Sequence, residues 1–274
     1  MSKKAKRQSP ARNPTRPHDI DRWLERSGQQ IVAADYIGAI ATAQRVVRAP
    51  IASSQQRAEA FDRIGGACML LQRYEDAFLA VTAAIELIPD TAVLWFNRGM
   101  TARYTTRIGQ SLRDFEHAAT LDEEGLLADK LAEVLPNARS FVSDSLALRK
   151  PGFTLDQLIE QERLFQAGVQ LMKQQQWAEA EPLFRGSIFM GDVLPQPWGN
   201  LGICMLMQRQ FDAAEAALRR ALEIDPDYLI ARQNLAGLPA IRTSGKLPML
   251  RTNTAADHIA AKARLVLLPE PKRS

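Results

Sequence analysis

One pattern recurs along this chain at a spacing of 34 residues, and it limits the fold more than any other feature. The segments that begin at Ala58 and at Pro195 agree in residue type at seven signature positions within 32 residues. Both have an aromatic residue at position 4, an aliphatic residue at 7, glycine at 8, an aromatic residue at 17, alanine at 20 and 27, and proline at 32. Such a period indicates a stack of similar units, and the apolar spacing within each unit indicates two helices.

Four further copies of the pattern extend the repeat along the chain. Clear copies begin at Ala92 and Gln161, a weaker one begins at Ile20, and a half copy begins at Leu229. The pattern resembles the tetratricopeptide repeat (TPR) family, whose unit of about 34 residues is a helix–turn–helix hairpin. The resemblance implies an all-α fold, in which an α-solenoid of TPR hairpins forms a right-handed superhelix.

The residue types at the key positions have a physical reason. Glycine at position 8 and alanine at position 20 fit where the two helices of a hairpin approach most closely. Bulky residues at positions 4, 7 and 24 fill the space beside that contact. Proline at position 32 ends the second helix, since it lacks an N–H group and clashes with the preceding turn.

The spacing of the copies predicts how the chain is divided. The expected segments are a basic disordered arm at 1–19, an N-terminal array of three repeats at 20–122, a degenerate helical hairpin or a hinge at 123–152, a C-terminal array of two repeats plus a capping helix at 153–238, and an irregular tail that could hold a short helix at 239–274. In the hairpin alternative, Pro136–Asn137 separates two helices. Beyond Leu238 turn-forming residues replace the helical period.

Charge and cysteine content bear on the compartment and the partners. The net charge is +4, and six basic residues precede the first acidic residue, Asp19. We interpret the proline-containing arm as disordered, although phosphate neutralisation could let it contact RNA or a nucleoprotein. No apolar stretch is long enough to predict a membrane span. The two cysteines, Cys68 and Cys204, fit reduced thiols in the cytoplasm.

Residues for catalysis or metal binding are scattered. The three histidines are His18, His117 and His258, and none lies beside a nucleophile in the repeat pattern. The two cysteines and three histidines lack the spacing of a metal site. We therefore expect no enzyme activity, no metal and no cofactor.

The resemblance implies that the first helix of each hairpin lines a concave groove. Position 6 of these helices then places a row of amides in the groove, at Asn97, Gln166, Asn200 and Asn234. An amide can donate and accept, and such a row could hold the backbone of an extended peptide. Apolar residues complete the predicted peptide-binding groove, at Phe165, Val169, Met172, Ile203, Leu206 and Met207. Two alternatives are that these residues pack on a neighbouring helix or that the protein's own C-terminal tail docks on them.

The function predicted from these features is a non-catalytic scaffold that binds a peptide or a helical segment of a partner protein. The alternative is a factor that associates with RNA or a nucleoprotein through its basic arm.

Overall fold

The computed structural model describes residues 16–247, and within them the chain forms twelve α-helices and no strand. The helices, in chain order, are α1 (Pro17–Val32), α2 (Tyr36–Arg48), α3 (Ser54–Leu70), α4 (Tyr74–Leu87), α5 (Ala92–Tyr104), α6 (Ile108–Leu121), α7 (Ala128–Ala147), α8 (Leu155–Lys173), α9 (Trp177–Met190), α10 (Pro195–Met207), α11 (Phe211–Ile224) and α12 (Leu229–Ser244). The predicted all-α class is confirmed. In this part of the chain no helix combines the length and the apolar character that crossing a membrane requires.

Five helix hairpins follow the predicted repeat pattern. In each, the second helix begins at position 17 of the repeat, at Tyr36, Tyr74, Ile108, Trp177 and Phe211. Position 15 has a positive φ every time, near 60°, at Ala34, Gln72, Thr106, Gln175 and Arg209. In the first turn, the N–H of Asp35 donates to the carbonyl of Gln30 (2.8 Å), and that of Ala34 donates to Ile31 (3.0 Å). This pair of hydrogen bonds ends a helix within one turn, so the next helix can start at once.

Glycine at position 8 is required by the contact between the two helices of a hairpin. A Cβ atom at Gly65 would lie 2.5 Å from Cγ2 of Val81, and one at Gly168 would lie 2.8 Å from Cζ of Phe184. No real Cβ contact is that short, so the predicted close approach at position 8 is confirmed. The bulky residue at position 24 takes the space that the missing side chain leaves.

Residues 16–247 divide into two compact units, with the boundary between Leu94 and Trp95. In the first unit, α1, α2, α3 and α4 pack in sequence around small apolar clusters. In the second unit, α10 contacts α8 and α12 as well as its hairpin partner α11 and the preceding α9. The first helices α8, α10 and α12 therefore lie side by side in one layer.

The region between the two predicted arrays holds one helix. The prediction that Pro136–Asn137 separates two helices is wrong, because α7 runs through Pro136 without a break. Its buried side chains continue at helical spacing on both sides of the proline, at Leu131, Val134, Ala138 and Val142. Packing of this continuous face against α6 offsets the hydrogen bond that proline removes. The hairpin alternative for residues 123–152 is therefore wrong, and the hinge alternative stays a prediction.

Both predicted ends of the repeat region also need correction. Helix α1 begins at Pro17, because proline is well suited to the first position of a helix, so residues 17–19 do not belong to the arm. Helix α12 continues past Leu238 and through Pro239 to Ser244, and Gly245 ends it with φ +66°. The tail therefore begins six residues later than expected. The rest of the arm, residues 1–15, and residues 248–274 of the tail lie outside the described residues.

Candidate binding face

The predicted row of amides is not uniform. Gln166 is buried in the layer of first helices, and its Nε2 donates to the carbonyl of Thr105 (2.6 Å) and to Oγ1 of Thr106 (2.8 Å). It thereby ties α8 to the turn of the α5/α6 hairpin. Asn234 is half-buried, and its Nδ2 donates to the carbonyl of Ile230 in its own helix (2.9 Å). Asn97 is half-buried and already has an interaction partner.

Asn200 differs from the other amides of the row. It has no exposed surface, and neither its Nδ2 nor its Oδ1 has a hydrogen-bond partner. Gln166 occupies the same position of its repeat and reaches the turn of the preceding hairpin. The side chain of Asn200 is one methylene shorter, which gives a reason why the equivalent turn at Gln174 and Gln175 does not satisfy it. A buried amide without partners is unfavourable, so this group is available to any hydrogen-bonding group that reaches it.

A second buried polar group without a hydrogen-bond partner lies at the start of α12. Tyr228, directly before α12, is almost fully buried, and its hydroxyl has no hydrogen-bond partner. Its ring lies against α10 where Gly199 leaves room, since a Cβ atom there would be 2.5 Å from Cε1 of Tyr228. Burial raises the pKa of Tyr228, so the phenol stays protonated at neutral pH. Sequence reasoning missed this residue, because it follows the closing proline and is outside the repeat signature.

Most of the predicted apolar groove residues are in the protein core. Phe165, Val169, Ile203 and Leu206 are all buried. The ring of Phe165 packs edge-on against that of Phe184, with the ring centroids 5.9 Å apart. The prediction that these four line an open groove is wrong. They pack in apolar clusters with residues of neighbouring helices, since α10 contacts both α8 and α12. The alternative, packing on a neighbouring helix, describes these four residues correctly.

Half-buried residues remain on the layer of first helices. Met172 and Met207 both pack against the apolar cluster around Tyr228 and Ile230, and Ile241 packs against the cluster around Leu206. We define the first-helix face as the half-buried residues Met172, Met207, Asn234 and Ile241. Asn200 belongs to the same layer but is buried within it. This face is smaller than the groove predicted from the sequence.

A half-buried glutamate holds α8 against the start of α6. Glu162 accepts hydrogen bonds from the backbone N–H groups of Gly109 (3.0 Å) and Gln110 (3.4 Å). Burial raises the pKa of Glu162 to about 7, although these hydrogen bonds and the charges of Arg107 and Arg149 lower it. A carboxylate at a helix N-terminus satisfies backbone donors that lack partners within the helix. The contact is therefore best explained as a structural cap.

A second buried charge lies inside the α5/α6 hairpin. Asp114 is fully buried and accepts two hydrogen bonds from Arg98, at 2.7 and 2.8 Å, and one from Gln110 at 2.7 Å. Burial raises the pKa of Asp114, and the guanidinium of Arg98 opposes this shift. This paired geometry is typical of a structural ion pair and leaves no free acid or base.

The described residues offer little for catalysis. Between residues 16 and 247, no group of three or more His, Cys, Asp or Glu side chains could hold a metal ion. Burial raises the pKa of both thiols, that of Cys204 to about 12, so neither is a ready nucleophile. His117 is exposed and packs edge-on against Trp95, and His258 lies outside the described residues. The absence of enzyme activity stays a prediction.

A comparison with protein families agrees with the repeat pattern of the sequence. Residues 195–228, which form α10, α11 and the turn after them, match the family model of the tetratricopeptide repeat. No curated protein sequence matches the chain.

Solved structures that the chain matches include YrrB, described as a TPR protein with an unusual peptide-binding site. It has 15% identity and a TM-score of 0.35, with 77% of this chain and 89% of that chain covered. The TPR2AB-domain:pHSP90 complex of yeast Sti1 has 15% identity and a TM-score of 0.39, with 90% and 95% covered. MamA has 13% identity and a TM-score of 0.36, with 81% and 96% covered.

The matched repeat at residues 195–228 has the same close approach at its glycine as the other hairpins. A Cβ atom at Gly202 would lie 2.7 Å from Cγ of Leu218, as the glycines of three other hairpins lie against their position-24 residues. Its turn also has the positive φ at position 15 that all five hairpins share. The family match therefore covers one of the five hairpins, residues 195–228, and the other four hairpins share its turn geometry.

Proposed function

We propose that this protein is a non-catalytic scaffold that binds an extended or helical segment of a partner protein on the first-helix face. The observation that carries the proposal is the buried amide of Asn200, which has no hydrogen-bond partner. Leaving such a group unpaired costs about 1–3 kcal/mol. A backbone N–H or C=O group of a bound segment would recover part of that free energy.

The residues that surround the face can adapt to such a segment. Met172 and Met207 are half-buried on neighbouring first helices, and methionine side chains rearrange easily because they are unbranched. We propose that rearrangement of these side chains gives a partner segment access to the buried amide of Asn200. Asn234 can then contribute a carbonyl oxygen, since only its Nδ2 is engaged with Ile230. The chemistry favours recognition of backbone groups with a few apolar side chains beside them.

The test uses a peptide selected against the full chain from a displayed random library. Its affinity is measured by calorimetry for the wild type, for Asn200→Ala and for Met207→Glu. Phe189→Ala is the matched control, since Phe189 is 92% exposed on α9, which is not a first helix. We expect Met207→Glu to abolish binding and Asn200→Ala to weaken it about tenfold, which corresponds to about 1.4 kcal/mol. The control should bind as the wild type does.

Asn200→Ala is informative because it separates binding from folding. Removing an amide that has no partner should leave stability unchanged or raise it slightly. A selected peptide that binds all three variants equally would exclude the first-helix face as the site. The native partner is tested in the same way: recovery in a pull-down should fall for Asn200→Ala combined with Asn234→Ala.

The RNA- or nucleoprotein-binding alternative depends on residues 1–15, and no observation on residues 16–247 favours it. A salt titration of RNA binding by the full chain and by a variant with Lys3, Lys4, Lys6 and Arg7 replaced by alanine tests it. Binding that depends on these four residues would support the alternative.

A further inference from the structure

The chain leaves its last helix beside the first-helix face. Helix α12 ends where Gly245 takes φ +66° and donates its N–H to the carbonyl of Ile241 (2.8 Å). A Cβ atom at Gly245 would lie 3.8 Å from Nη1 of Arg209, which follows Met207 by two residues. Residues after Gly245 therefore start next to the ends of α10 and α12 that carry Met207 and Ile241.

The sequence beyond this point contains a segment with a one-sided apolar pattern. Between Thr254 and Leu268 the apolar residues at helical spacing are Ala256, Ile259, Ala260, Ala263, Val266 and Leu267. Such spacing is typical of a helix with one apolar side. The charged residues of the segment, Asp257, Lys262 and Arg264, fall outside that stripe, and Leu265 is on the opposite side. We call residues 254–268 the C-terminal segment.

We propose that the C-terminal segment folds as a helix on the first-helix face of its own chain and competes there with a partner protein. This inference rests on the proposed function, and it names the regulation of that site. The apolar stripe covers Met207 and Met172, and the segment leaves the face when a partner segment binds more tightly. The protein is thus an autoinhibited scaffold.

The distances allow this arrangement. Residues 248–253 can span at most about 20 Å when extended. A helix of the length of the C-terminal segment is about 22 Å long. Axes of packed helices lie about 8–10 Å apart, so the path from α12 across α10 to α8 is about 20 Å. A helix that begins near the end of α12 therefore reaches both Met207 and Met172 without unfolding any described helix.

Tethering makes the internal segment a strong competitor. A segment joined by a short linker has an effective concentration in the millimolar range. A weak helix–face contact is then enough to keep the face occupied in the free protein. Substitutions that weaken the contact should raise the affinity for an external peptide, because less free energy is spent on displacing the segment.

The experiment places a photo-crosslinking amino acid at position 207 of the full chain, with position 189 as the control site. After illumination, we expect mass spectrometry to find crosslinks from 207 to residues 254–268 within one chain, and none from 189. Ile259→Glu combined with Val266→Glu should remove these crosslinks and tighten binding of the library-selected peptide about fivefold or more. Leu265→Glu, on the opposite side of the segment, should change neither.

Each other outcome overturns the inference in a distinguishable way. If 207 crosslinks to the selected peptide but never to residues 254–268, self-docking is wrong while the proposed function stands. If 207 crosslinks to neither, the proposed function is refuted as well. Crosslinks between two chains, which would increase with protein concentration, would show a second copy as the occupant and also overturn the inference.

Discussion

Gly65 and Gly66 are neighbours in α3, but their surroundings differ completely. A Cβ atom at Gly65 would lie 2.5 Å from Cγ2 of Val81 and 3.5 Å from the carbonyl oxygen of Ala77, whereas a Cβ atom at Gly66 would meet nothing within 4 Å. Val81 is buried, and its branched side chain has little rotational freedom. The pair therefore offers a comparison in which the substitution is the same and only the packing changes.

The expected magnitudes follow from two terms. Replacing glycine by alanine in a helix interior contributes about 1 kcal/mol of stability, and this term is common to both sites. At Gly65 the new methyl group must displace Val81, and overpacking of this kind costs about 1–3 kcal/mol. We expect Gly66→Ala to stabilise the protein by about 1 kcal/mol. Gly65→Ala should be less stable than Gly66→Ala by about 1–3 kcal/mol, which is the packing term alone.

Urea unfolding measured by circular dichroism gives the two free-energy changes for the full chain. Hydrogen exchange of the α3 and α4 amides then locates them, because in a repeat protein the effect should stay near the altered hairpin. Exchange in these helices should be slower in Gly66→Ala than in Gly65→Ala. Equal shifts for both variants would contradict the close helix approach at position 8, and with it the physical reason given for glycine there.

Three further changes test buried polar groups. Asn200→Gln should stabilise the protein by about 1 kcal/mol in thermal unfolding, because the longer amide can reach the preceding turn as Gln166 does; an unchanged midpoint would argue against the side-chain length explanation. The raised pKa of Glu162, about 7, means that the folded protein holds this proton more tightly than the unfolded chain, so its stability contribution is complete at low pH and falls as pH rises from about 5 to about 8. Urea titrations at several pH values should show this loss in the wild type but not in Glu162→Gln. Arg98→Met should cost about 3–5 kcal/mol at neutral pH, because it leaves the buried carboxyl group of Asp114 without its guanidinium partner. A smaller loss when Asp114 is also changed to Asn would confirm the coupling.

The fold was predictable because its determinants are local and repeated. The helix starts at Tyr36, Tyr74 and Phe211 could be read from one aromatic position counted along the chain, and glycine at position 8 predicted the helix contact that the structure has. The positive φ at position 15 was not predictable. Ala34 and Gln72 carry no signal for a left-handed conformation, and the start of the next helix imposes it on them.

The prediction for Pro136 failed because local propensity was weighed without the packing that opposes it. Proline usually ends or kinks a helix, since it removes one hydrogen bond. The apolar residues of α7 keep their helical spacing across the proline, from Leu131 to Val142. That continuity was visible in the sequence and would have favoured a single helix. Pro239 in α12 is a second case, with Leu238 buried directly before it.

The candidate site shows where position in a repeat stops being informative. Position 6 predicts an amide on the layer of first helices, but the fate of that amide depends on one methylene group. Gln166 reaches the turn of the preceding hairpin and hydrogen-bonds to it, so its amide stabilises the fold. Asn200 does not make such a contact, and its amide has no hydrogen-bond partner. A repeat scaffold can therefore keep one backbone at every hairpin and still make one of them a binding site, because shortening a single side chain leaves a buried hydrogen-bonding group for a partner to satisfy.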